Sequence, residues 1–143
     1  MYLIDTNVVS EARKGDRASP GVVAFLKELA ESGEIAFVSS LTVGELRRGV
    51  ELIRRRGDAD QAGRLDAWLG HVVDAYSDRI LPFDADAAQV WGRLRVPDPG
   101  HAIDKQIAAI ALVNDLTIVT RNVADFEGLG VRLKNPFRSE RTD

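Results

Sequence analysis

The sequence predicts an α/β domain with a mainly parallel central sheet. Two observations lead there: short β-type runs alternate with longer segments of helical period along the whole chain, and no repeat, low-complexity tract or linker divides it. A third sets the scale: 143 residues, 45% apolar and 29% charged, suit one domain with a sizeable core.

The elements follow in order. Strands are expected at Tyr2–Ile4, Ile35–Val38, Thr117–Val119 and Val131–Leu133, with a short one at Ile80–Leu81. Helices fill the intervals at Val8–Arg13, Gly21–Glu31, Leu41–Arg56, Ala59–Tyr76, Ala85–Leu94 and Ala102–Asn114. Val96-Pro97-Asp98-Pro99-Gly100 must be a loop, because two prolines and a glycine break the helical φ/ψ pattern. One domain spans residues 1–137. The polar tail, 138–143, is expected to be disordered.

Composition narrows the chemistry. Without cysteine there are no disulfides or thiolate zinc sites, and two histidines, His71 and His101, leave little for an imidazole-rich centre. Any metal would be a hard cation held by oxygen. A net charge of -3 argues against non-specific clamping of nucleic acid, though not against local binding of RNA. No apolar run approaches the roughly 18 to 20 residues of a membrane span, and Met1–Ile4 is too short for a signal peptide, so a cytoplasmic protein without membrane partners is expected.

Four acidic or polar elements draw attention. Asp5 follows directly on the first strand, where ligands bind in parallel sheets, although taken alone a helix cap explains it better. Glu45 falls inside the apolar arc of its helix when the segment is unrolled at about 100° per residue. A carboxylate turned toward a core must be paired, protonated or metal-bound. The competing reading is a capping box, Thr42-Val-Gly-Glu45, weakened because Ser39 and Ser40 offer an earlier cap. Asp104 sits in the first turn of a helix, where an anion is favoured in any case. Ala108 and Ala111, on the same face, would let that turn lie close against the sheet. Thr120, Asn122 and Asp125 follow the apolar strand Leu116–Val119, where Asn122 and Asp125 have an innocent reading as a cap and its partner.

Topology joins them. In a parallel sheet the ends of the strands at Ile4, Val38 and Val119 share one edge, to which the helix of Asp104 also returns. Carboxylates gathered there repel each other unless a divalent cation compensates, and an oxygen-only set suits Mg²⁺ or Mn²⁺. Such a cation activates water and neutralises charge developing on a phosphate, which is the chemistry of phosphodiester hydrolysis.

Five ordered blocks then match a known family: Leu3-Ile-Asp5-Thr-Asn7-Val-Val-Ser-Glu11, Ser40-Leu-Thr-Val-Gly-Glu45-Leu-Arg-Arg-Gly49, Arg79-Ile-Leu-Pro-Phe-Asp84, Asp104-Lys-Gln-Ile-Ala-Ala-Ile-Ala111 and Thr120-Arg-Asn122-Val-Ala-Asp125-Phe126. The chain resembles PIN-domain ribonucleases of the VapC toxin type, especially their FitB-like branch. The resemblance implies a PIN-like three-layer α/β/α fold and a Mg²⁺- or Mn²⁺-dependent endoribonuclease, with the metal on Asp5, Glu45 and Asp104. It gives Thr6, Thr120 and Asn122 supporting roles. Relatives carry a fourth acid at the place of either Asn122 or Asp125, and here Asp125 is assigned the charge. The resemblance also implies a VapB-like antitoxin partner and a homodimer or higher toxin–antitoxin assembly.

Lys105 and Arg121, each adjacent to a site residue, are the expected contacts to substrate phosphate. The arginines of the Glu45 helix are read as a solvated face. His101 is read as a helix-entry residue, and Trp68, Trp91, Phe83 and Phe126 as core. Two other classes compete. A phosphotransfer domain would need a second nearby acid that Asp5-Thr-Asn7 does not supply. A non-catalytic module would use the acidic cluster only to dock a basic partner.

Overall fold

A computed structural model describes residues 1–138; the expected disorder of the tail falls almost wholly on residues outside that range. Five strands form one sheet in the order β3-β2-β1-β4-β5: β1 (Tyr2–Ile4), β2 (Ala36–Ser39), β3 (Ile80–Leu81), β4 (Thr117–Val119) and β5 (Leu133–Lys134). Every pairing is parallel. Parallel neighbours require crossovers, and the helices supply them: α1 (Thr6–Ala12), α2 (Pro20–Ser32), α3 (Ser40–Arg55), α4 (Ala59–Ala75), α5 (Ala85–Leu94), α6 (Ala102–Val113) and the short α7 (Val123–Phe126).

Strand alternation splits the interior into two cores, as a sheet covered on both faces requires. Ile4, Val38 and Val119 point to one side, against Val8, Val22, Phe25, Leu46, Val50 and Leu69. Leu3 and Ile118 point to the other, against Ile107 to Ala111 and Phe126. The result is the expected three-layer α/β/α sandwich. The run Ala108-Ala109-Ile110-Ala111 is fully buried because α6 lies between the sheet and α5, and small side chains permit that close approach. Trp91 packs edge-on against Phe83 at 5.8 Å and donates its indole N–H to the Ala102 carbonyl, 3.0 Å away, fastening α5 to the start of α6.

The departures from expectation are local. The first helix begins at Thr6 rather than Val8, because Asp5 caps it, its Oδ1 accepting from the Thr6 N–H at 2.8 Å. The last strand is shifted to Leu133–Lys134, since the amides of Ile118 and Thr120 bind the carbonyls of Arg132 and Lys134. Asn122 and Asp125 belong to α7, which is too short for periodicity to reveal. After it the chain crosses the start of α2, where a Cβ on Gly21 would stand 2.0 Å from the Pro136 carbonyl oxygen; only glycine fits there. No helix among the described residues is long and apolar enough to cross a membrane.

Candidate active site

From β1 the chain winds outward through β2 and β3 on one side, then crosses to β4 and β5 on the other. The order therefore reverses between β1 and β4. The crevice beyond the carboxyl ends of such a pair is where open parallel sheets bind ligands. Asp5 terminates β1 at this point and Thr120 terminates β4, with the Asp5 N–H bonded to the Val119 carbonyl at 2.9 Å.

Asp5 is 5% exposed and Thr120 fully buried. Its Oδ2 accepts from the Thr120 hydroxyl at 2.8 Å and from the Asn7 amide at 3.2 Å. Asp5 is thus the cap of α1, as one early reading had it, and lies buried at the carboxyl end of β1. Burial pushes its carboxyl above the usual aspartate range, the bonds from Thr120, Thr6 and Asn7 pull it back, and nearby Asp125 raises it further.

Glu45 arrives on α3. The cap of that helix is Ser39, whose Oγ accepts from the Thr42 N–H at 3.1 Å, so the Thr42–Glu45 capping box does not form. Glu45 is free to turn inward, where its Oε1 accepts from the Thr6 hydroxyl at 2.9 Å. It is half-buried, and burial raises its pKa, with Asp5 and Asp104 adding to the rise while Thr6 and Arg48 oppose it.

Asp104 stands in the first turn of α6. Its pKa is raised by burial first, then by the charges of Asp5 and Asp125, and His101 opposes the rise. His101 is the N-cap, in the left-handed conformation, and its Nδ1 lies 3.6 Å from Asp104 Oδ2 with the ring 58% exposed. It is the expected helix-entry residue and also part of the rim. Asp125 is exposed on α7. Asn122 makes no side-chain cap bond; its N–H donates to Thr120 Oγ1 at 3.0 Å.

Asp5, Glu45, Asp104 and Asp125 thus face one crevice, and none forms an ion pair with lysine or arginine among the described residues. Among the described residues no three histidine, aspartate or glutamate side chains stand close enough together to hold a metal ion as they are placed. An open set of oxygen donors suits Mg²⁺ or Mn²⁺, hard cations bound by carboxylate oxygens with water in the remaining positions. Mutually repelling carboxylates, none ion-paired to lysine or arginine among the described residues, supply the electrostatic reason for a cation to enter.

Lys105 is the correction. It is 5% exposed, and its ammonium donates to the Asp98 carbonyl at 2.6 Å and lies 3.7 Å from the Asp98 carboxylate. It pins the Val96–Gly100 loop to α6 and is buried there rather than held out to a substrate. Adjacency in sequence misled here, because on a helix the next residue points about 100° away. Arg121 remains exposed beside the crevice, its guanidinium 4.9 Å from the Phe137 ring centre.

Sequence reasoning missed two members. Asn7 donates to Asp5 Oδ2 and, at 3.3 Å, to Thr120 Oγ1, while its Oδ1 accepts from the Arg121 N–H at 3.0 Å, so it ties the β1–α1 turn to the β4–α7 turn. Thr42, 1% exposed, has its Oγ1 3.1 Å from that of Thr6; with the one Thr6 proton committed to Glu45, the Thr42 hydroxyl donates to Thr6 and backs it. A signal existed for Thr42, one turn before Glu45 on the same helix.

The raised acids make a stability prediction. A carboxyl whose folded pKa lies above its unfolded value binds more protons when folded, so stability is lost as pH rises from the ordinary carboxylate range through the raised value. Without divalent metal, Asp104→Asn should therefore melt above the parent at pH 7. Thermal melts across pH should show that advantage shrinking toward acid pH, where the parent's Asp104 is already neutral.

Residues 2–129 match the family model described as PIN domain, and the chain belongs to the PIN domain family. It is 34% identical to the toxin FitB of Neisseria gonorrhoeae over 96% of this chain and 99% of that protein. It is 35% identical to the VapC ribonuclease Y4jK of Sinorhizobium fredii over 96% of this chain and 98% of that one. Among solved structures, FitAcB from Neisseria gonorrhoeae superposes with a TM-score of 0.81 at 32% identity, covering 97% of this chain and all of the other.

Proposed function

We propose that the chain is a divalent-metal-dependent endoribonuclease and the toxin of a toxin–antitoxin pair. The single observation that carries the chemistry is the convergence of Asp5, Glu45, Asp104 and Asp125 on the β1/β4 crevice without a basic counter-ion among the described residues. Near-full-length likeness to a VapC ribonuclease and to the toxin FitB supports RNA as the substrate.

In this reading Asp5, Glu45 and Asp104 hold Mg²⁺ or Mn²⁺. Bound there, the cation supplies Lewis acidity, lowering the pKa of water and offsetting charge on the phosphate. The chain's own residues set the geometry. Thr120 and Asn7 fix the Asp5 carboxylate by their donated hydrogen bonds. Thr6, backed by Thr42, leaves one oxygen of Glu45 free by engaging only the other. Asp125 adds negative charge at the α7 side, and Asn122 completes the turn that presents Thr120. Arg121 is placed to meet a substrate phosphate at the rim. The solved neighbour FitAcB, from the same organism as FitB, supports a VapB-like protein partner, and assembly as a homodimer or larger complex belongs to the same reading.

The test is cleavage of RNA by the purified chain. Cleavage should appear with Mg²⁺ or Mn²⁺, stop on adding chelator, and return when the metal is restored in excess. Cleavage indifferent to chelator would contradict the assignment.

A further inference from the structure

The four arginines of α3 and Arg56 at its C-cap are not one solvated face. Measured around the helix from Glu45, Arg47 and Arg54 lie about 160° and 180° away, whereas Arg48, Arg55 and Arg56 lie within about 80° of it. The structure uses the two sets differently. Arg47 and Arg54 each bind Glu51 and reach across to Asp66 of α4, at 2.9 and 3.0 Å, so their charge is neutralised within the fold. Arg48, Arg55 and Arg56 are exposed, and none has an ion-pair partner among the described residues.

Their placement is continuous with the acidic crevice. Arg48 follows Glu45 by one turn, close enough for its charge to act on that carboxylate. Arg55 lies two further turns on, so the two stand about 4.5 and 15 Å beyond Glu45 along the helix axis. In a chain of net charge -3, a strip of unneutralised arginines leading away from the only acidic crevice described above is a local exception that favours a polyanion. Guanidinium groups suit phosphate oxygens.

Resting on the ribonuclease reading above, we propose that Arg48, Arg55 and Arg56 form the track on which the RNA backbone leaves the crevice. Arg48 holds the phosphate nearest the scissile one, and Arg55 and Arg56 hold phosphates further along. Arg47 and Arg54, on the opposite side, make no contact with substrate.

The experiment compares cleavage of a single-stranded RNA oligonucleotide by the parent, Arg48→Ala, Arg55→Ala and Arg54→Ala over a range of salt, with direct binding measured in parallel. Arg48→Ala and Arg55→Ala should each raise KM by about fivefold with kcat unchanged. Each should also reduce the slope of log affinity against log salt by about 0.7, the value for one phosphate contact on a single strand. Arg54→Ala should change neither. If the parent cuts RNA but Arg48→Ala and Arg55→Ala leave KM and salt slope unaltered, the track is refuted while the ribonuclease reading stands. An equal effect of Arg54→Ala would reduce the result to net charge and also refute it. A parent that neither binds nor cuts the oligonucleotide overturns both.

Discussion

Asp104→Asn should abolish most RNA cleavage while leaving the protein folded and, without metal, more stable. The two effects have one cause. Asp104 sits half-buried among like charges, and burial first, then the charges of Asp5 and Asp125, raise its pKa. Removing its charge relieves both, and among the described residues its only hydrogen-bonding or ionic side-chain neighbour is the exposed His101. In the proposed function the same charge helps to hold a divalent cation together with Asp5 and Glu45. Losing one of three carboxylate ligands should lower kcat by at least about 100-fold, equivalent to about 2.7 kcal/mol of transition-state stabilisation. Single-turnover cleavage in Mn²⁺, read beside a thermal melt, checks both halves. A variant that cuts RNA at the parental rate would remove Asp104 from the site. Stabilisation gained by loss of function is expected where a site gathers groups that the fold alone would not bring together.

Phe126→Ala should be the most damaging of the core substitutions for its distance from the crevice. The ring is 1% exposed and packs in the core behind α6 with Ile107, Ile110 and Ile118. Truncating it leaves a cavity and removes the transferred apolar surface, a cost of about 3 to 5 kcal/mol for a buried aromatic. That is a large share of a typical domain's 5 to 15 kcal/mol. Phe126 is also the last residue of the four-residue α7 that carries Asp125, one position earlier. A helix this short has no stability of its own and depends on its packed side chain. Chemical denaturation should therefore show a midpoint far below the parent's. The midpoint of Ala124→Gly, an exposed change on the same helix, should move much less.

The fold was legible because its signals repeat. Alternating apolar runs locate the strands to within about two residues, and the buried run Ala108 to Ala111 marks α6 as a helix pressed between sheet and neighbour. The short elements were legible only in part: β3 lies at Ile80–Leu81 as expected, β5 is displaced, and α7 was not expected. Two-residue β5 and four-residue α7 offer no period to read, and β5 is placed by the amides of Ile118 and Thr120 that bind the Arg132 and Lys134 carbonyls, partners that only the assembled sheet supplies. The site shows the same division. Glu45 could be read from the sequence, since a carboxylate in an apolar arc contradicts its surroundings. Asn7 could not, because its significance lies in contacts with Thr120 and Arg121, more than a hundred residues away in the chain. Lys105 failed for the opposite reason: nearness in sequence to Asp104 suggested a shared task, and the helix turns the two side chains apart.

The arginines of α3 show how the two kinds of information combine. Sequence alone groups Arg47, Arg48, Arg54, Arg55 and Arg56 as one polar face. The ion pairs to Asp66 separate those that fasten α3 to α4 from those left beside Glu45.

The central claim is that Asp5, Glu45 and Asp104 form a divalent-cation site at the β1/β4 crevice. Titration calorimetry with Mn²⁺ on the chelator-stripped protein tests it most directly. The account predicts saturable binding in the parent that is strongly weakened in Asp104→Asn. An absence of binding in the parent, or binding of equal strength in both proteins, would contradict it.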